Sequence, residues 1–161
     1  MSTDLNKLEN TLKGALHSIG ASDLSGTLKR VLRRFEVNLP IATDADGAIT
    51  EVAICRVPVA CKVVSAHITC TSAGITAHAT NYATFDVSKR DGAGGAAAVA
   101  ATFATDTVTT DDVTQWVPKA LTVTAANASL TAGSVLTFKG TASGSGVAVP
   151  TSVLTVTLEE A

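Results

Sequence analysis

At Val37 the spacing of apolar residues changes from that of a helix to that of a strand. Before it, Leu5, Leu8, Leu12, Ala15 and Ile19 follow one another at intervals of three and four, which places them on one helical stripe. Leu24, Leu28, Val31, Leu32 and Phe35 form a second such stripe. After it, Val37, Leu39 and Ile41 alternate with Asn38, Pro40 and Ala42. One element cannot satisfy both periods. The chain is therefore predicted to have two parts: residues 1–36 as two short amphipathic helices, and residues 37–161 as a β domain. Local chemistry agrees. Ser2, Thr3 and Asp4 offer oxygens to first-turn amides, and Ser22 and Asp23 do so for the second helix. Gly20 sits where a left-handed cap would end the first helix. Glu9 and Lys13 make an i,i+4 pair. Pro40 requires helix to have ended by about residue 38.

Charge divides at the same place. Over 161 residues the chain is 16% charged, against about 25% in ordinary domains. Residues 1–36 hold ten charged side chains, an ordinary share, with a net charge of +2. The remaining 125 residues hold sixteen, with a net charge of −4. The overall −2 argues against a dedicated nucleic-acid binder. A hydrophobic content of 46% argues against disorder. Acids in the first ten residues do not fit an export signal, and no run approaches the roughly 18 apolar residues of a membrane span. Cytoplasmic synthesis and reduced thiols are the expectation.

The β domain reads as a series of short strands. They are expected at 37–42, 48–57, 61–71, 82–89, 96–105, 116–117, 120–124, 135–139 and 153–158. The Ala run at 96–105 leaves helix open there. Turns fall at 44–47, 91–95 and 143–146, a polar loop falls at 106–114, and Gly133 and Gly140 separate strands. Frequent turns between β-rich segments predict an antiparallel sandwich or jelly roll of about eight strands. In 48–57 and 61–70 apolar residues occupy both alternate sets, Val64, Ala66, Ile68 and Cys70 against Val63 for example. That pattern predicts cover on both faces, and so an assembly.

Several motifs have a chemical and a plain reading. GAGGAA at 92–97 fits a loose dinucleotide pattern, but that fold needs a helix next, and strand-like residues follow. Cys55, Cys61, His67 and Cys70 crowd a short window, yet their spacing matches no common zinc site, and buried thiols are expected instead. Asp44-x-Asp46-Gly47 opens like a calcium loop, but position 12 falls on Cys55. Asp106, Asp111 and Asp112 read as solvated loop carboxylates. With His17, His67 and His78 scattered and no nucleophile elbow, no catalytic, cofactor-binding or metal residues are assigned. The protein is not expected to be an enzyme.

Two helices of this size must pack on something. A docking arm is preferred over packing on the β domain or contact with nucleic acid through Lys29, Arg30, Arg33 and Arg34.

Five stretches carry a resemblance: IATDADG at 41–47, RVPVACKV at 56–63, NYATFDVSKRDGAG at 81–94, AGSVLTF at 132–138, and GSG at 144–146 with Pro150. In style they resemble the decoration, or cement, proteins on the outside of tailed-bacteriophage capsids. The resemblance implies a sandwich or jelly roll, commonly trimeric, bound to major capsid protein on the virion surface, with a terminal arm completing the attachment. It brings no catalytic residues and no cofactor. The two-helix leader departs from compact decoration domains and leaves the base of a head fibre open. On this reading Leu5, Leu8, Leu12, Leu24, Leu28 and Val31 dock on the capsid or a neighbouring copy, and Arg30, Arg33 and Arg34 meet acidic groups. Two alternatives stand beside it. One is a receptor- or carbohydrate-binding fibre module, for which Trp116 and Tyr82 are the few aromatic platforms. The other is a DNA-contacting virion protein that uses the basic helix.

Overall fold

The computed structural model describes residues 33–161, and strand begins in it earlier than the change of period implies. Nine strands follow in order: β1 Arg34–Ile41, β2 Val52–Arg56, β3 Cys61–Cys70, β4 Tyr82–Arg90, β5 Ala98–Ala104, β6 Lys119–Val123, β7 Ser129–Leu130, β8 Val135–Ser143 and β9 Ser152–Glu160. Arg34, Phe35 and Glu36 therefore belong to a strand, not to the end of a helix. Thr157 donates a side-chain hydrogen bond to Glu36 at 3.5 Å, which helps tie this start of β1 to β9. The rest of the expected two-helix segment, residues 1–32, lies outside the described residues.

The strands form one nearly closed antiparallel sheet in the order β1-β9-β3-β6-β5-β4-β8-β2, with β7 off this path on β3. The strand β6 makes the corner. Its first half, Lys119–Leu121, pairs with β3, and Thr122 and Val123 pair with β5. The outer edges are β1, which carries Pro40, and the short β2, which carries a bulge. Both devices blunt an edge against further pairing.

Inward residues build one core. Ala83, Phe85 and Val87 alternate inward on β4 as their spacing predicts. Phe85 lies between Phe103 of β5 and Phe138 of β8, with ring centroids 6.5 and 6.1 Å away. Leu154, Val156 and Leu158 line β9. Each such buried side chain stabilises the fold by roughly 1.5–3 kcal/mol.

Four sequence readings change. A bulge between Val63 and Ser65 shifts the register of β3 against β9. It turns Val63 inward with Ala66, Ile68 and Cys70 and leaves Val64 outside the core. The two apolar faces expected of this strand are thus the trace of one extra residue. The segment 48–57 is strand only from Val52. β8 runs through Gly140, where a separator was expected. A Cβ at that glycine would approach the Gly47 carbonyl to 2.5 Å, so the residue allows a close backbone crossing. Trp116 and Val117 form no strand, while the ambiguous run 96–105 does, over Ala98–Ala104.

Candidate interaction surface

Of the docking residues expected from the sequence, Leu5, Leu8, Leu12, Leu24, Leu28, Arg30 and Val31 lie outside the described residues. Arg33 sits in a turn and Arg34 opens β1, both exposed.

The motifs with chemical readings are used for structure. The glycine run at 92–97 leads into β5, which pairs antiparallel with β4. Asp91 Oδ1 accepts the amides of Ala93 and Gly95 at 3.1 and 2.7 Å and so closes that turn. Asp44 Oδ1 accepts the amides of Asp46 and Gly47 at 3.1 and 2.6 Å. Partial burial alone would raise the Asp44 pKa, but these amides outweigh it and the net direction is down. Cys61 and Cys70 are buried at opposite ends of β3, and burial pushes all three thiols up. Among the described residues no three His, Cys, Asp or Glu side chains gather where they could hold a metal ion.

A cavity of about 380 Å³ opens beside the sheet edges, lined by Leu39, Ile41, Ile49, Val52 and Phe138 with Thr43, Asp44 and Thr50 at its polar side. Its one carboxylate, Asp44, is engaged by the turn amides. The space is an apolar seam without an acid–base pair.

The loop between β5 and β6 differs from the rest of the surface. Trp116, the only tryptophan, is 66% exposed, and Val108 and Val117 are about half exposed. Trp116 has φ +62°, a left-handed backbone that a bulky side chain rarely adopts. The conformation is held from outside the loop. The Trp116 amide donates to the Cys70 carbonyl at 2.9 Å, and Gln115 Nε2 donates to Thr71 O at 3.1 Å. Val113 and Ile75 exchange two backbone bonds of 2.9 Å. The loop acids are not simply solvated, as the sequence suggested. Asp112 Oδ1 accepts the Ala77 amide at 2.7 Å, and Asp111 Oδ2 accepts the Thr107 amide at 3.2 Å. Lys119 Nζ donates to Thr110 O at 2.7 Å, sits 3.9 Å from Asp111, and lies over the Phe103 ring. What this arrangement does chemically is present an exposed indole on a backbone held from outside the loop.

Sequence reasoning placed Trp116 in a strand and weighed it only as a sugar platform. A lone Trp beside a polar loop was the available signal. Compared with known proteins, the chain matches no family model, no curated protein and no solved structure.

Proposed function

We propose that the chain is a structural virion protein that binds the outside of an assembled phage capsid and stabilises it, without catalysis. The observation that carries this reading is the charge-poor outer surface of the β domain. Its sheet turns short hydroxyl and aliphatic side chains outward, and the hydroxyls hydrogen-bond across strands. Ser65 donates to Thr157 at 3.1 Å, Thr155 to Asn38 at 2.7 Å, and Thr102 to Asp86 at 2.6 Å. Such side chains lose little rotamer freedom when covered, which suits a contact made in many copies.

Strand order adds support. Divided at the β6 corner, the strands run β1-β9-β3-β6 and β2-β8-β4-β5. We read this as a jelly roll, an architecture found in viral capsid and lectin domains. Following the resemblance, the proposed oligomer is a trimer and the proposed partner is major capsid protein. The arm docks through Leu5, Leu8, Leu12, Leu24, Leu28 and Val31, with Arg30, Arg33 and Arg34 toward acidic groups. Binding the assembled shell and not its separated subunits would stabilise the shell by mass action, and repeated contacts would add as avidity.

The test is protein analysis of purified virions from the phage encoding the chain. The reading predicts a fixed number of copies per capsid subunit, removable without loss of packaged DNA. Absence of the chain from intact virions would overturn it.

A further inference from the structure

We infer that His78 is a pH-operated latch. With its ring neutral it ties the connection between β3 and β4 to the turn that follows β8, and with its ring protonated it releases that tie. The inference stands apart from the capsid-binding reading. It rests on the atoms that surround one ring nitrogen.

Three turns of this fold are closed by a side chain that accepts backbone amides a few residues further on. Asp44 and Asp91 do so with carboxylates. His78 does so with a ring nitrogen. Its Nδ1 accepts the Thr80 amide at 3.2 Å and the Asn81 amide at 3.0 Å. Both donors are main-chain N–H groups, so Nδ1 must offer its lone pair, and the neutral ring carries its proton on Nε2. A carboxylate ordinarily goes on accepting at pH values of about 5 and above, whereas an imidazole changes charge between about pH 5 and 8.

Protonation reverses the role of that nitrogen. An imidazolium has two donors and no acceptor. Its Nδ1–H would point at two other N–H groups, so both bonds are lost. Thr80 Oγ1 lies 3.2 Å from the same nitrogen and can accept from the charged ring. The proton thus exchanges two backbone donors for one hydroxyl acceptor, and residues 79–81 are no longer held by the ring. His78 is exposed, so a proton reaches it without unfolding. The tie is present while the ring is neutral and is lost as pH falls.

Release reaches further because Asn81 has a second partner. Its Oδ1 accepts the Ser145 amide at 3.0 Å, in the turn that follows β8. Gly144, at φ +62°, lies so close to Thr80 O and Asn81 Oδ1 that a Cβ has no room. Upstream, the chain is held independently of the ring: the His78 amide donates to Thr105 O at 3.0 Å, and the Ala77 amide to Asp112. The change is therefore confined to 79–81 and 143–146. Other titratable groups lie on the elements around it. Asp106 follows Thr105, Asp112 holds Ala77, and Asp111 pairs with Lys119 at 3.9 Å. Tyr82 opens β4, and Asp44 and Asp46 belong to the turn that packs against Gly146. The turn at 143–146 has no titratable side chain. Aspartate, lysine and tyrosine ordinarily titrate outside the range of histidine, so the ring is the group that responds there.

The experiment is an NMR titration of the full-length chain from about pH 8 to 5, across the range in which histidine changes charge. It follows the ring nitrogens of His78 and the amides of Thr80, Asn81 and Ser145. At the alkaline end the ring is expected to report a bare Nδ1 and a protonated Nε2. As the ring titrates, the Thr80 and Asn81 amide protons are expected to shift upfield with the midpoint of the ring itself, and the Ser145 amide to shift with them. His78→Asp, which supplies the carboxylate used at Asp44 and Asp91, is expected to keep the turn and abolish the step. His78→Ala is expected to show the acid positions of these amides throughout. A neutral ring with its proton on Nδ1 overturns the inference. So do Thr80 and Asn81 amides that stay in place while the ring titrates, or a step that survives in His78→Asp. A Ser145 amide that does not move with them leaves no tie between the two segments and overturns it as well.

Discussion

Arg90 ties three segments together. Its guanidinium donates to both Glu51 oxygens, at 2.8 and 2.6 Å, and to the Gly95 carbonyl at 2.9 Å. The Arg90 hydrogen bonds, followed by one from Thr137, pull the Glu51 carboxyl down to about 2 from an ordinary 4.5. A depressed carboxylate contributes stability above its unfolded pKa and loses that contribution as pH falls through the folded value. The urea midpoint is thus predicted to decline between about pH 4.5 and 2, and Glu51→Gln to flatten that decline. An unchanged pH profile in the variant would contradict the assignment. Gly146 has φ +68°, and a Cβ there would run into the Asp46 carbonyl. Gly146→Ala is predicted to destabilise by about 1–3 kcal/mol, read by chemical denaturation. Some residue-scale features were legible. Asp44-x-Asp46-Gly47 read as a turn because an aspartate side chain can cap amides two and three residues on. The conformation of Trp116 was not legible, because it is set by a carbonyl forty-six positions away in sequence.

At the scale of elements, alternation worked where the ladder is regular and failed where a residue is inserted. Strand β4 carries no insertion against β8, and its alternate residues Ala83, Phe85 and Val87 all face the core. β3 contains a bulge, and one extra residue exchanges the two faces beyond it. The bulge makes a clear prediction. Val63→Thr places a hydroxyl in the core and should cost about 1–3 kcal/mol. Val64→Thr, on the outer face, should change stability by no more than about 0.5 kcal/mol. Equal effects in denaturant titrations of the two variants would contradict the register. The two-residue β7 had no periodic signal at all, since its pairing with Cys61 and Lys62 is decided by the neighbouring strand. Gly140 was read as a break because glycine usually weakens a strand, yet here a close backbone crossing requires it.

At the scale of the molecule, fold class was legible and closure was not. Frequent turns and β-rich segments predict an antiparallel β domain. That β6 divides its pairing between β3 and β5, and so joins the two halves of the sheet, depends on contacts no local pattern encodes. Residues 35–161 form a compact unit by themselves. Because β1 starts at Arg34, the arm hypothesis is best tested on the chain shortened to residues 33–161 rather than 37–161. The shortened chain is predicted to unfold in one cooperative transition and to lose most of its capsid binding. Full binding by it would assign attachment to the β domain alone. The low charge that marks residues 37–161 then has a structural location, in outer sheet faces carrying hydroxyl and aliphatic groups. The most direct test of the central claim is the thermal dissociation of capsids with and without added full-length chain. The account predicts a rise in dissociation temperature that saturates at a fixed number of bound copies per capsid subunit. No rise at saturating chain concentration would contradict it.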